Sequence, residues 1–404
     1  MITKTCTVSG KEFIITDKDL EFYKKMGVPP PKLCPDERRR RRAAQRNQRK
    51  FYHRKCDMTG EKMLSLYDKT YSGTVYSSKA YFSDKWNALD YAQNFDFSKE
   101  FFPQFQKLFE SVPRLSLVHI GFDGIENSDF TNDAYRLKDC YLVSDGEQSR
   151  DCLYGETFFR LESCSDFLFL ENSSFCYECV NCQNAYELMF SYNCKNCQNS
   201  WFLENCVGCS NCFGCTNLFQ KQFYIYNEKF TEEEYKEFMS GFDGSHSTIS
   251  ILKEKFRTFS KSQNNKYFHG EKIENSTGNH ICECKDSFEC YDCNRLRDCK
   301  YCGHLLLGAQ DCYDYDIWGQ NAQLVYESVC CGENIQDMAF NFYCSNNASN
   351  IFYSMYCWFG VSDLFGCVGL TKAKNCILNK QYTAQEYKIL RGKIIAHMKE
   401  MGEW

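Results

Sequence analysis

The sequence predicts a mainly β fold with some helix, in which a small degenerate zinc-ribbon-like α+β domain precedes two copies of a cysteine-rich, β-solenoid-like repeat. Three observations predict it. Partial zinc knuckles lie near the N-terminus, cysteines recur at short fixed intervals, and one half of the repeat region matches the other half in order. We therefore divide the chain into the zinc-ribbon-like domain 1–60, an aromatic-rich connecting region 61–122, and the two copies 123–262 and 263–404.

The composition indicates a globular chain whose cysteines we expect to be reduced. Of 404 residues, 43% are hydrophobic and 28 are cysteine. Residues 1–6 contain no apolar signal core, and no run of about 18 apolar residues predicts a membrane span. We therefore expect a cytoplasmic protein whose thiols fill the core, bind metal or act in redox chemistry.

The N-terminal region contains three knuckle-like turns, each with one cysteine replaced. They pair Cys6 with Ser9, Cys34 with Glu37, and Cys56 with Thr59. A structural zinc site needs four nitrogen or sulfur ligands. Cys6, Cys34, His53 and Cys56 could supply four ligands for zinc. The favoured alternative is a metal-free fold in which the substituting hydroxyl groups keep the shape of the turns by hydrogen bonding.

This stretch resembles small zinc-ribbon domains. The resemblance spans the first knuckle, Phe13–Ile15, Asp19–Tyr23, Pro29–Pro31, Cys34–Pro35 and the basic run that follows. The whole chain also resembles a group of uncharacterised bacterial cysteine-rich repeat proteins, through Ser83–Trp86, the asparagine–cysteine repeats and the final Gly402–Trp404. Some of that group carry a CaiB/BaiF CoA-transferase label, but no feature of this sequence supports that activity.

The repeat region is an internal duplication whose offset runs from 147 to 152 residues. So many matches in one order do not arise by chance. They include Ile125–Ser128 with Ile273–Ser276, Arg150–Cys152 with Arg297–Cys299, Phe213–Cys215 with Phe365–Cys367, and Thr231 with Thr383.

Each copy is expected to end in a helix. Thr231 with Glu234, and Thr383 with Glu386, both fit the capping box, in which the two side chains satisfy backbone N–H groups of the first turn. Helices near 231–240 and 383–400 follow, and the amphipathic stretch 248–260 predicts a further helix between the copies.

Inside each copy the cysteines follow a shorter period. Cys140, Cys152, Cys164 and Cys176 are twelve residues apart, and every cysteine from 140 to 215 lies a multiple of three from every other. Side chains of a β-strand alternate with a period of two residues, not three. We therefore expect a corner of the backbone between many cysteines that are neighbours in sequence. Turn residues at such intervals are typical of stacked coils, in which inward cysteines form ladders that fill a narrow core.

The same cysteine clusters have spacings that suit zinc or an iron–sulfur cluster. Regular repetition produces those spacings without any metal, so we favour thiol ladders over ligation. Thiolate metal binding is nevertheless the second functional hypothesis. Its candidate ligands in the repeats are Cys176, Cys179, Cys182, Cys206, Cys209, Cys212, Cys215, Cys290, Cys293, Cys299 and Cys302.

The first functional hypothesis rests on a basic arm, residues 38–55, which contains ten lysines or arginines and no acid. The rest of the chain has 38 basic and 53 acidic residues, a net charge of −15. Good helix formers such as Ala43 and Ala44 predict that the arm is one helix with arginine on nearly every face. The cations are Arg38, Arg39, Arg40, Arg41, Arg42, Arg46, Arg49, Lys50, Arg54 and Lys55.

Arginine pairs bidentately with phosphate, and Phe51, Tyr52 and His53 add stacking surfaces beside the arm. We therefore predict binding of nucleic acid or another polyanion, with RNA, for example ribosomal RNA, favoured over DNA. The alternatives are a solvated helix or a clamp on the acidic body of the same chain. Engagement of these guanidinium groups by carboxylates of residues 123–404 would favour the clamp and overturn the nucleic-acid prediction.

An enzyme is the least favoured reading of the sequence. The chain contains no phosphate-binding glycine-rich loop, nucleophile elbow or His-Glu-x-x-His motif. Its seven histidines are scattered and suggest no catalytic group. A cysteine nucleophile stays open, because any of the 28 cysteines could serve.

Overall fold

The computed structural model describes residues 1–47, 49–119, 124–297, 299–300, 303–310, 313, 325–327, 329, 338–345 and 347–404. For residues 294, 297, 303–310 and 325 only the backbone is described. The described chain is mainly β with seven α-helices, so the predicted fold class is confirmed at that level.

Two hairpin units built alike open the chain. In each unit an antiparallel hairpin surrounds a cysteine turn that ends at a glycine with a left-handed backbone, Gly10 at φ 71° and Gly60 at φ 72°. The first unit contains β1 (Ile2–Thr5), β2 (Glu12–Ile15), α1 (Asp17–Met26) and α2 (Pro35–Ala43). The second contains β3 (Tyr52–Lys55), β4 (Lys62–Ser65), β5 (Val75–Tyr76) and α3 (Ser78–Tyr81). The boundary expected at residue 60 therefore falls inside the second hairpin.

The prediction of one helix across the basic arm is wrong. Helix α2 ends at Ala43, and residues 52–55 form strand β3, which pairs with β4 from Tyr52 opposite Ser65 to Lys55 opposite Lys62. The aromatic residues at the start of β3 favour an extended strand, and the pairing with β4 decides the conformation. The arm is thus a short helix, a loop and a strand.

The connecting region contributes buried side chains to the core. It contains a 3-10 turn at Ala88–Tyr91, helix α4 (Phe101–Ser111) and strand β6 (Arg114–Leu115), which pairs with β5. Tyr81 and Phe101 are buried, and the Phe101 ring lies 5.1 Å from the ring of Phe365. The expectation that this aromatic segment packs as core is confirmed.

The first repeat copy is a stack of parallel strands, here called the first stack, residues 125–229. The register advances by twelve residues a strand, so that Tyr141 lies opposite Leu153 and Leu153 opposite Ser165. Its strands are β7 (Ile125–Glu126), β8 (Thr131–Lys138), β9 (Tyr141–Arg150), β10 (Leu153–Glu162), β11 (Ser165–Ser174), β12 (Val180–Gln183), β13 (Tyr186–Met189), β14 (Gln198–Trp201), β15 (Ser210–Phe213), β16 (Gln222–Ile225) and, antiparallel to β16, β17 (Glu228–Lys229).

A left-handed residue at every third position explains the three-residue period of the cysteines. Asp139, Leu142, Asp145 and Gln148 have φ angles of 52°, 51°, 59° and 55°, and the pattern continues along the stack. Each such residue turns the chain, so every third side chain points inward. The corners expected from the spacing are therefore confirmed.

The second copy, here called the second stack, spans residues 270–381, and the intervals between its described strands vary from eleven to thirteen residues. Val325 lies opposite Met338, thirteen residues on, whereas Gly278 lies opposite Cys290, twelve residues on. Its strands are β18 (Gly270–Glu271), β19 (Gly278–Cys282), β20 (Cys290–Arg297), β21 (Gly303–Gln310), β22 (Val325–Tyr326), β23 (Met338–Ala339), β24 (Ser349–Phe352), β25 (Ser362–Phe365), β26 (Lys374–Ile377) and β27 (Lys380–Gln381).

Both predicted capping boxes are present. Thr231 N–H donates to the Glu234 carboxylate at 2.7 Å, and Thr383 N–H donates to that of Glu386 at 2.9 Å. The helices are α5 (Glu232–Ser240), α6 (His246–Ser262) and α7 (Ala384–Glu400). Within the described part of the chain, no helix is long and apolar enough to cross a membrane.

Candidate nucleic-acid interface and thiol core

The inner side of the arm is bound to the second stack. Arg38 is 2% exposed, donates to the Leu33 carbonyl at 2.7 Å, and lies 3.8 Å from the carboxylate of Glu327. Arg41 forms an ion pair with the same carboxylate. Glu327 is itself buried, so these charges are compensated within the fold.

The loop after α2 is bound to the first stack. Arg46 Nη2 lies 2.6 Å from Asp145 Oδ1, with side chains only 13% and 1% exposed, and Arg49 Nη2 lies 3.0 Å from Glu156 Oε2. Burial raises the pKa of Asp145 well above its ordinary value, and the charge of Arg46 opposes that rise. The alternative prediction, a clamp on the acidic body, is therefore confirmed for Arg38, Arg41, Arg46 and Arg49.

Two further arginines of the predicted interface also face inward. Arg42 is 4% exposed. Arg54 donates to the carbonyls of Asp68, Tyr71 and Gly73 at 3.1, 3.2 and 2.9 Å. Burial of Arg42 and the carbonyl bonds of Arg54 leave these guanidinium groups poorly placed to contact phosphate.

The remaining cations define the outer side of the arm. They are exposed, and Arg49 belongs to them as well, because its side chain stays 63% exposed although it pairs with Glu156. Arg40 is 71% exposed and bonds to Glu37 at 2.7 Å within the same helix. The outer side consists of Arg39, Arg40, Arg49, Lys50 and Lys55.

An aromatic row continues from the arm onto the first stack. The ring centroids of Phe51 and Phe130 are 6.1 Å apart, those of Phe130 and Tyr141 5.3 Å, and those of Tyr141 and Tyr154 5.9 Å. Tyr141 and Tyr154 are 40% and 49% exposed. Of the stacking residues expected beside the arm, Phe51 belongs to this row, whereas Tyr52 and His53 lie on β3.

The two cysteine turns each face the start of a helix. In the first unit the Ser9 hydroxyl contacts the Cys34 thiol at 3.7 Å, and Cys34 precedes α2. In the second unit Ser77, which caps α3, donates its N–H to the Cys56 thiol at 3.3 Å. Ser77 thus stands where the first unit has Cys34, a correspondence that the two hairpins reveal and the sequence spacing alone did not.

The Cys6 thiol lies in a hydrogen-bonded environment that lowers its pKa. Burial raises its pKa, but hydrogen bonds from Ser9 and from neighbouring backbone N–H groups outweigh burial and lower the pKa to about 6. The four predicted zinc ligands Cys6, Cys34, His53 and Cys56 do not form one group. Cys6 lies in the first turn and Cys34 at the start of α2, whereas Cys56 and His53 belong to the second hairpin.

The cysteines of the first stack form a buried, connected thiol core. Each thiol donates to a nearby backbone carbonyl, as Cys179 does to Leu188 at 3.2 Å, and the thiols of successive coils also contact one another. Burial raises the pKa of Cys179 and of Cys194 well above the usual thiol value. The core contains Cys140, Cys152, Cys164, Cys176, Cys179, Cys182, Cys194, Cys197, Cys206, Cys209, Cys212 and Cys215.

The described cysteines are all free thiols. Among the described residues no group of three or more His, Cys, Asp or Glu side chains is arranged to hold a metal ion. Of the predicted ligands in the second stack, Cys290, Cys293 and Cys299 are buried in its core, and Cys302 lies outside the described residues.

The sequence reading missed a histidine pair where the two stacks meet. The rings of His269 and His280 are parallel, with centroids 4.6 Å apart. His269 Nε2 lies 2.6 Å from Asn205 Oδ1, and His280 Nε2 lies 3.5 Å from Asn181 Nδ2. The signal that could have indicated this contact is the twelve-residue spacing of Asn181, Asn193 and Asn205, which places the three amides in one column.

Comparison with known proteins adds little. No protein-family model and no curated protein matches the chain. Among solved structures, it is similar at 8% identity and a TM-score of 0.13 to a "putative acetyltransferase" from Desulfovibrio desulfuricans G20, over 66% of this chain and 72% of that one. A likeness at that level carries no argument about fold or function.

Proposed function

We propose that the chain binds nucleic acid, with RNA favoured over DNA, through the outer side of its basic arm. The observation that carries the proposal is that Arg39, Arg40, Arg49, Lys50 and Lys55 stay exposed after the inner arginines have found carboxylates. Exposed guanidinium and ammonium groups gain most from a partner that brings phosphates, because binding releases the counterions around the polymer.

The rest of the molecule serves as the scaffold in this proposal. The two stacks are β-solenoids, an interpretation supported by the twelve-residue register and the corner at every third residue. The two hairpin units are zinc ribbons that have lost ligands, supported by the cysteine turns that face helix starts. Three inner arginines and the outer Arg49 connect the arm to the two stacks, which fixes the position of the outer cations.

Replacing outer cations tests the proposal. The triple variant Arg39→Ala/Arg40→Ala/Lys50→Ala should bind a fluorescent single-stranded RNA at low salt at least about tenfold more weakly than the native chain. The matched control Lys388→Ala/Lys393→Ala/Lys399→Ala removes three exposed cations from α7. Equal affinity of the two triple variants would contradict a specific role for the arm.

Thiolate metal binding is the second candidate, and the connected thiol core favours it. Twelve cysteines lie in one cluster of the first stack, close enough to contact one another. Against it, no group of three or more His, Cys, Asp or Glu side chains among the described residues is arranged to hold a metal ion. The thiols also donate to carbonyls, and a metal would need those protons removed. Elemental analysis of protein purified under reducing conditions tests this candidate. At least about one zinc or iron atom per chain would support metal binding, and less than about half a metal atom per chain would reject it.

A further inference from the structure

An exposed apolar patch lies beside the outer side of the arm. Tyr141 on β9 lies opposite Leu153 on β10, and Tyr154 follows Leu153 in the chain. These three side chains are 40%, 38% and 49% exposed. Leaving such surface in water is unfavourable, so a contiguous aromatic patch on a folded body indicates a contact site.

The patch is joined to the cations of the arm. Phe51 is the first ring of the aromatic row and immediately follows the exposed Lys50. The ion pair between Arg49 and Glu156 ties the loop of the arm to β10, the strand that also holds Tyr154. Positive charge and exposed rings therefore occupy one continuous surface.

We propose that the aromatic row takes the unpaired bases of a single strand whose phosphates the outer cations contact. The inference rests on the proposed function and specifies its ligand. Bases in a duplex are already stacked and turn only their edges outward, whereas unpaired bases offer a face to an aromatic ring. The row therefore adds affinity for single strands and none for a polyanion without bases.

Another exposed pair on the same stack provides a matched control. Tyr186 is 44% exposed, and its ring centroid lies 5.8 Å from that of Phe175, a geometry close to that of the Tyr141 and Tyr154 pair. Its neighbour Glu187 raises the pKa of Tyr186, so the local charge is negative and disfavours phosphate. This pair has the rings of the proposed site without its cations.

The experiment compares three polymers in fluorescence anisotropy competition with the full chain: oligouridylate, a duplex RNA of the same length, and heparin. Tyr141→Ala/Tyr154→Ala should weaken oligouridylate binding by at least about tenfold, because a stacked base contributes on the order of tenfold or more. The same variant should change heparin and duplex binding by less than about twofold. Tyr186→Ala should change none of the three, and circular dichroism checks that both variants are folded.

The outcomes separate this inference from the proposed function. If the tyrosine variant binds oligouridylate as the native chain does, while the arm variant loses it, the aromatic row has no part in binding and the inference is wrong. Equal losses for heparin and oligouridylate would also overturn it, because the tyrosines would then act through the arm. A native chain that binds none of the three polymers would overturn both proposals.

Discussion

The arginines of the arm differ in burial and in ion-pair partners although they are neighbours in sequence. Arg46 reaches a carboxylate of the first stack 99 residues away, and Arg41 one of the second stack 286 residues away. A buried charge is tolerated only where an opposite charge accompanies it. The inner arginines therefore contribute to the stability of the fold, whereas the outer cations stay exposed and are the ones we propose for binding.

Removing one partner of a buried ion pair should be costly. Arg46→Ala leaves Asp145 buried without its nearest cation and should lower the free energy of unfolding by about 3–5 kcal/mol. Lys50→Ala, at an exposed position of the same loop, should change it by less than about 0.5 kcal/mol. Urea denaturation followed by circular dichroism measures both, and similar values for the two variants would contradict the division into inner and outer cations.

The sequence could predict that the arm is basic but not which way each cation faces. Charge composition is a local property, whereas the acceptors of Arg38, Arg46 and Arg49 lie in the repeat copies. The inward direction of the cysteines was predictable, because a three-residue period repeats along the chain. The role of a residue whose partner is distant in sequence can be assigned only from the three-dimensional structure.

At the scale of elements, local signals predicted the helices that end each copy. The threonine and glutamate of a capping box lie three residues apart, so their hydrogen bonds form whatever the surroundings. The arm shows the opposite case. Its helix propensity extends past Ala43, but strand β3 pairs with β4, and this pairing outweighs the propensity.

The cap of α7 gives a prediction with a defined pH dependence. Thr383→Ala should lower the free energy of unfolding by about 1 kcal/mol, and Thr383→Ser should restore most of it. The hydrogen bonds from Thr383 lower the pKa of Glu386 below its ordinary value. The stability that these hydrogen bonds add is therefore present at neutral pH and is lost as the pH falls through the pKa of Glu386 in the folded chain. Denaturation at neutral and acidic pH should show a smaller difference between native chain and variant at acidic pH, and a constant difference would contradict this account.

At the scale of the whole molecule, contacts of several kinds join the described residues of the two stacks. Tyr343 donates its hydroxyl to Asp133 at 3.2 Å, and Lys195 pairs with Glu271 at 3.1 Å. The stacked histidines and the asparagine column form a third contact. The duplication itself was predictable from matching residues, but how the copies pack was not, because these contacts involve residues that the two copies do not share.

The histidine contact should make stability depend on pH. Burial lowers the pKa of His280, and the nearby His269 lowers it further. The unfolded chain then takes up a proton at higher pH than the folded chain, near the usual histidine value of about 6.5. Stability should be highest above that pH and fall as the solution is acidified, and His280→Gln should reduce the fall. Denaturant midpoints at neutral and mildly acidic pH measure this loss of stability. An identical loss in His280→Gln and in the native chain would exclude His280 as the cause.

The salt dependence of RNA affinity tests the central claim, that the outer side of the arm contacts phosphates, most directly. With five outer cations, the logarithm of the association constant for oligouridylate should fall against the logarithm of salt concentration with a slope of about −3.5. Arg39→Ala/Arg40→Ala/Lys50→Ala should reduce the slope by about 2 in magnitude. A slope near zero for the native chain, or equal slopes for native chain and variant, would contradict the account.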